Sequence, residues 1–277
     1  MLRTVTRNPT PETRHLKPVT RNLSPMHQIH ILGIRIDDVT QAEALTHATA
    51  LIEHGIAHGR GHQVVTVNPE FVMEAQHNAA FREVLCAADL ATPDGFGLLL
   101  AARWQGTPLR GRATGVALVQ QLAALAAERG YRIFLLGAAP GVAEQAAAVL
   151  QHRHPTIQIA GCFAGSPHPR HAPFIQQIIA AAQPHILFVA YGHPAQDLWI
   201  AQHQPLLKIP LAMGVGGVFD YLTGLVPLAP RWMRRLGLEW LFRLIVQPHR
   251  WRRIITAVPL FTWAVVRAGK QGAGGRG

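Results

Sequence analysis

The chain has 277 residues, of which 49% are hydrophobic and only 15% charged, enough for one large domain with a sizeable core. A formal net charge of +11 and a pI near 11.1 point to anionic partners: phosphate-bearing ligands, nucleic acid or an anionic membrane face. Two cysteines, Cys86 and Cys162, exclude a disulfide framework and a cysteine-rich zinc module, and they fit a reducing, cytoplasmic setting.

The opening stretch, "MLRTVTRNPTPETRHLKPVTRNLSPM", is basic but has no apolar h-region, so residues 1–27 are expected to form a disordered basic tail rather than a signal peptide. From residue 28, short runs rich in Val, Ile and Phe alternate with alanine-rich helical patterns. "HILGIRI", "QVVTVN", "YRIFLLG", "IQIAGCF", "HILFVAYG" and "IPLAMGVGG" read as strands, several closing on glycine. "GVALVQQLAALAAERG" and "GVAEQAAAVLQHRH" read as helices. That alternation predicts an α/β domain over 28–230 built on a mainly parallel sheet, and continuous apolar strands suit a sheet covered on both faces. No internal repeat is present.

Composition changes near residue 230. "RWMRRLGLEWLFRLIVQPHRWRRI" carries seven arginines, three tryptophans and one acid. Arg231, Arg235, Glu239 and Arg243 recur every four residues on one helical face, while Met233, Leu236, Trp240, Leu241, Leu244 and Ile245 cover much of the other. Residues 231–277 are therefore expected to be a basic amphipathic appendage. It is either a last helix docked on the core with solvated arginines or a surface facing membrane or phosphate. The apolar run "IITAVPLFTWAVV" (254–266) contains Pro259 and falls short of the roughly 20 residues a spanning helix needs, though it can lie on a bilayer.

In an open α/β sheet, ligands bind at the carboxyl ends of the strands. "VVTVNPE" places Thr66 and Asn68 on one side of such an end, with Asn68 equally suited to cap a helix that opens at Pro69. "TPDGFGLLLAARW" puts Asp94 in turn chemistry ahead of a helix it would cap, and a helix N-terminus stabilises a carboxylate as the anion. Arg112 in "LRGRATG" suits a phosphate or an exposed loop. In "VAYGHPAQDLW", Tyr191 closes a strand, and Gln196 lies in the first turn of the next helix, either exposed or turned to the same rim. Gly214, Gly216 and Gly217 in "AMGVGGVFD" let backbone approach a flat or anionic ligand. The histidines of "HRH" and "SPHPRH" follow no metal-ligand spacing, and no nucleophile elbow, P-loop or dinucleotide fingerprint occurs, so hydrolase, NTPase and nicotinamide chemistry lack their parts.

Seven of these segments occur in the order characteristic of one family. "TVNPEFVMEAQ", "ADLATPDGFGLLLAARWQG", "RATGVALV", "FLLGAAPGVAEQAA", "FVAYGHPAQDLWIA", "GVGGVFDYLTG" and "APRWMRRLGLEWLFRLIVQPHRWRRI" together resemble the WecG/TagA/CpsF glycosyltransferases over roughly residues 29 to 255. The resemblance implies a Rossmann-like, mainly parallel sheet flanked by helices (the GT-E type) with a C-terminal basic helical appendage. It also implies inverting, metal-independent transfer from a UDP-sugar to a polyprenyl-diphosphate-linked sugar, typically undecaprenyl-diphospho-N-acetylglucosamine. The work would be done at the anionic inner leaflet of the cytoplasmic membrane, in cell-surface polysaccharide synthesis, without a cofactor or nucleic acid; a homo-oligomer is left open. The family's base matches Asp94. Its pocket residues match Thr66, Asn68, Arg112 and Gln196, with Tyr191, Gly214, Gly216 and Gly217 beside them, and its appendage arginines over the diphosphate match Arg243, Arg250 and Arg253. The chain departs from the family's Gly-x-Pro-Lys-Gln-Glu at Ala195 and Asp197. A competing class, a non-catalytic basic protein that binds nucleic acid or membrane, predicts that Asp94 is dispensable and that salt alone governs binding.

Overall fold

The structure, a computed structural model, describes residues 26–230, 232, 233, 236–246, 248, 251 and 256–273. Residues 1–25 of the expected tail lie outside that set. Met26 already packs against the core and the His27 carbonyl accepts from the Asp38 N–H at 2.8 Å, so the ordered domain takes in the last two positions assigned to the tail.

The fold is α/β with a six-stranded, wholly parallel sheet. Its strands are β3 (Gln63–Val67), β4 (Leu90–Pro93), β5 (Arg132–Gly137), β6 (Gln158–Phe163), β7 (Ile186–Ala190) and β8 (Leu211–Gly214), in the spatial order β4-β3-β8-β7-β5-β6. Alternate side chains leave opposite faces of each strand. One face sends Val64, Leu90, Leu135, Phe188 and Met213 into the main core beneath α1 (Gln41–His58), α5 (Gly115–Arg129), α6 (Val142–Arg153) and α9 (Val218–Thr223). The other face feeds two smaller cores. Val65, Val67 and Ala91 meet α2 (Pro69–Glu74), α3 (Ala79–Ala87) and α4 (Phe96–Trp104), while Leu136, Leu187 and Val189 meet α7 (Ala172–Ala182) and α8 (Ala195–Leu207).

Two strand expectations change. "HILGIRI" is not one strand but a separate antiparallel hairpin, β1 (Gln28–Ile31) and β2 (Ile34–Asp37), because Leu32 and Gly33 both adopt positive φ (49° and 76°) and close a two-residue turn. And "LATP", short and closed by a proline, is the edge strand β4, where a missing N–H is tolerated. Its outward-facing Ala91 N–H is taken up by the Asp37 carboxylate at 2.7 Å, which blunts the edge.

Beyond residue 230, α10 (Glu239–Val246) and α11 (Phe261–Ala273) are described. The chain there does not stand apart from the domain. Phe261 and Val265 are buried in the core shared with α2 and α4, and Gly237 lies so close to Phe96 that a Cβ would come within 2.4 Å of its ring. Among the described residues no helix is long and apolar enough to cross a membrane.

Candidate active site

The carboxyl ends of β4, β3, β8 and β7 meet around a cleft of about 130 Å³. Thr66, Asn68, Asp94, Gln196, Gly216 and Gly217 all line it, so six residues singled out from the sequence, far apart in the chain, converge.

Asp94 is fixed from two sides. Its N–H donates to the Val67 carbonyl at 2.7 Å, tying the end of β4 to the end of β3. Its Oδ2 accepts from the Gly115 N–H at 3.0 Å. Asp94 was expected to cap α4, the helix it precedes. That helix has no side-chain cap, and Asp94 reaches instead to the first turn of α5, because Gly95 takes φ 120° and ψ 138° and swings the chain away. Only glycine adopts that conformation readily. Gly115 is constrained as well: a Cβ there would sit 3.3 Å from the Thr66 side chain and 3.6 Å from Asp94 Oδ2. The PDG turn and the "ATG" before α5 are thus two halves of one device that aims a carboxylate beside Thr66.

Asn68 caps α2, its Oδ1 accepting from the Phe71 N–H at 3.0 Å with Pro69 at the first helical position. Since Oδ1 is committed to the helix, what Asn68 offers the cleft is its amide N–H groups. Gln196 is 2% exposed rather than a surface glutamine. Its Oε1 accepts from two backbone amides, Gly192 at 3.1 Å and Gly216 at 2.9 Å.

Three candidates do not line the cleft. Tyr191 shares the strand face of Leu187 and Val189, so it packs among α7 and α8, edge-on to Trp199, with its hydroxyl buried and without a hydrogen-bond partner. Gly214 faces the side chains of Gln196 and Asp197; a Cβ there would stand 2.6 Å from each. Arg112 instead has its guanidinium 3.9 Å from Glu239 at the start of α10. Of the appendage arginines, Arg250 and Arg253 and the side chain of Arg243 lie outside the described residues.

Glu70 and His193 also line the cleft and were missed. His193 Nε2 lies 3.5 Å from Glu70 Oε2, and its ring centroid lies 4.8 Å from that of Phe71. The signal was present, since each residue is within two positions of a residue already singled out, but neither belongs to a pattern that distinguishes ligand chemistry from solvation.

Behind the cleft Asp197 is fully buried, and among the described residues neither carboxylate oxygen has a partner at full hydrogen-bond geometry. Burial pushes its carboxyl from 3.8 up to about 7, with the Gln196 side chain and local backbone pulling the other way and no charged group acting on it. A folded-state value above the unfolded one means that stability is fully present below about pH 4 and is lost as pH rises through about 7. The expected result is that Asp197→Asn gains stability relative to wild type between pH 4 and pH 8, read as the difference in unfolding midpoints; a difference that does not move with pH would refute it.

A larger cavity, about 500 Å³, lies at the opposite, amino-terminal edge of the sheet. Its polar groups already serve the fold: Asp89 binds His62 at 2.8 Å and the Gln63 N–H at 2.9 Å, and Gln204 binds the His62 and Ile209 carbonyls at 2.8 and 2.7 Å. The smaller cleft is the candidate site, because the strand ends, the α5 N-terminus and a carboxylate meet there.

In a parallel α/β sheet, a crevice at the carboxyl edge lined by converging polar side chains is the usual place for a ligand. The model of the Glycosyl transferase WecG/TagA/CpsF family matches residues 29–274. Three relatives share the printed name N-acetylglucosaminyldiphosphoundecaprenol N-acetyl-beta-D-mannosaminyltransferase. The Bacillus spizizenii protein is 33% identical over 230 residues, covering 83% of this chain and 88% of its own. The Bacillus subtilis protein is 34% identical over 221 residues, covering 80% and 85%, and a Staphylococcus aureus protein is 28% identical over 253 residues, covering 88% and 94%. The chain belongs to the WecG/TagA/CpsF glycosyltransferase family, and it is a hexosyltransferase.

Proposed function

We propose that this glycosyltransferase moves a sugar of the N-acetylmannosamine, N-acetylmannosaminuronate or glucose type from a UDP-sugar to N-acetylglucosaminyldiphosphoundecaprenol, with inversion and without a metal. The observation that carries the reading is the placement of Asp94, locked between β3, β4 and the first turn of α5, in the cleft. Inversion is a single displacement. The acceptor hydroxyl bonds to the anomeric carbon as the bond to the UDP oxygen breaks, and one base takes the hydroxyl proton. Asp94 fills that role, and a second carboxylate of the kind most glycosidases use is not required. Glu70, the other carboxylate in the cleft, is engaged with His193.

The departing diphosphate needs positive charge, and without a metal that charge comes from arginines and backbone donors. Arg112, whose guanidinium lies 3.9 Å from Glu239, would supply part of it, and the resemblance adds Arg243, Arg250 and Arg253 from the segment that follows Glu239.

An exposed face built by α4 and α11 supports work at a membrane surface. Trp104 of α4 (63% exposed) and Trp263 of α11 (59% exposed) project from two helices that pack together, with Leu100 and Leu260 also exposed and Arg267 stacked 5.1 Å from the Trp263 ring. Exposed tryptophan beside arginine suits the headgroup layer of an anionic leaflet.

One assay tests these statements together: transfer from a panel of UDP-sugars in EDTA to the lipid-linked acceptor, presented either in anionic vesicles or as a short-chain soluble analogue. The expected result is transfer from one donor class with inversion, and a Trp104→Ser/Trp263→Ser variant slowed only on vesicles. No transfer from any UDP-sugar would sink the assignment. Transfer abolished by EDTA would sink metal independence, and an unaffected tryptophan variant would sink the membrane face.

A further inference from the structure

Gln196 and Asp197 are consecutive residues in the first turn of α8, and both side chains turn inward. The Gln196 Oε1 accepts from the Gly192 N–H, just past β7, and from the Gly216 N–H, just past β8. One oxygen therefore joins the two glycine loops that form one wall of the cleft. Gln196 Nε2 is left to face the protein interior: Nε2 and Asp197 Oδ1 both lie 2.6 Å from the point where a Cβ on Gly214 would sit. That explains the glycine at 214, which leaves room for the pair rather than for a ligand. It also puts an amide donor near the buried Asp197 carboxyl, whose oxygens have no partner at hydrogen-bond geometry among the described residues. With Oε1 taken up by two backbone amides, Nε2 is the one polar atom Gln196 has left, and it lies on the Gly214 side, near the Asp197 carboxyl.

We propose that Gln196 and Asp197 are positioning residues: Asp197 fixes the Gln196 amide from behind, and the amide oxygen sets the spacing of the Gly192 and Gly216 loops against Asp94. The proposal rests on the cleft being the transferase site. It assigns a role to Asp197 and removes Gln196 from the groups that touch substrate.

The test reverses the hydrogen bond. Gln196→Ala removes the acceptor for both loop amides, and a displacement of about 1 Å at a reacting centre costs on the order of a hundredfold in rate. Asp197→Asn places an amide against an amide and weakens the hold on Gln196. Gln196→Glu places carboxyl against carboxyl. In Gln196→Glu/Asp197→Asn the acceptor for both loop N–H groups is kept, and the buried contact is restored with its donor and acceptor exchanged.

The expected result is a loss of about 10- to 100-fold in kcat/KM for Gln196→Ala and a clear loss for Gln196→Glu, with recovery to within a few-fold of wild type in the double variant. Hydrogen exchange of the Gly192 and Gly216 amides should follow the same order: fast in Gln196→Ala, protected again in the double variant. If the double variant folds and protects those amides but transfers no better than Gln196→Ala, Gln196 touches substrate and the proposal is overturned. If Gln196→Ala leaves both amides protected, the brace does not exist. Because the exchange measurement needs no turnover, it still decides the matter if the wild-type chain proves not to transfer sugar, an outcome that would overturn the functional reading instead.

Discussion

Asp94→Asn should reduce sugar transfer by about 10²- to 10⁴-fold, the usual contribution of a positioned general base, while leaving UDP binding and thermal stability nearly unchanged. The variant isolates basicity from geometry. An asparagine oxygen still accepts the Gly115 N–H, and the backbone bond from residue 94 to the Val67 carbonyl is untouched, so the turn and the start of α5 stay in place. What disappears is the group that takes the acceptor proton. The loss should therefore fall on kcat with little change in the donor KM. A carboxylate held by a helix N-terminus is a modest base, which suits a displacement in which the proton leaves late, after the hydroxyl has acidified against a carbocation-like sugar. Were the variant to transfer at the wild-type rate, Asp94 would be a structural cap, and the non-catalytic alternative would regain its footing. Loss of UDP binding in the variant would instead place Asp94 among the donor ligands.

Phe219→Ala should destabilise the protein by about 3–5 kcal/mol, a large share of the 5–15 kcal/mol typical of a folded domain. Phe219 is fully buried in the main core, on a six-residue helix that begins directly after Gly216 and Gly217. Such a short helix does not persist by its own propensity, and this one has no side-chain cap, so packing by Val218, Phe219 and Leu222 holds it. The denaturation midpoint should fall with little change in slope. Phe174→Ala provides the control: that ring is 55% exposed on α7, and its loss should matter little. Equal effects at the two positions would show that the glycine loop is not supported from the core.

The sheet and its ligand-binding edge were legible in the sequence because parallel strands buried on both faces leave continuous apolar runs, and because glycine, proline and asparagine mark where they end. Thr66 and Asn68 could be placed by that logic alone, whereas Asp94, beyond the unrecognised β4, came into the site through the family resemblance. The target of Asp94 could not be placed. Its bond to Gly115 depends on a turn conformation at Gly95 and on which helix stands across the edge, neither of which periodicity encodes. β4 was missed because an edge strand capped by its neighbour needs few apolar residues, and the hairpin at Leu32-Gly33 was missed because its two strands together imitate one longer one. Gln196 illustrates a different limit. Sequence marks a polar residue at a helix start, but only packing decides whether it meets solvent, ligand or two backbone amides.

The order of the strands has a consequence for how the chain is made. β3 pairs with β8 through Gln63 and Ala212, more than half the chain length apart, and β8 lies between β3 and β7. During synthesis β3 and β4 emerge early, carrying Thr66 and Asp94, yet one flank of β3 has no neighbour until the last strand of the sheet arrives. Contacts of such long range are slow to form, and an unpaired strand flank invites association with other chains in the interval. Asp94 is thus translated in the first half of the chain, and the cleft it lines is complete only when β8 inserts, so a product truncated before β8 lacks one wall of that cleft and leaves a flank of β3 unpaired.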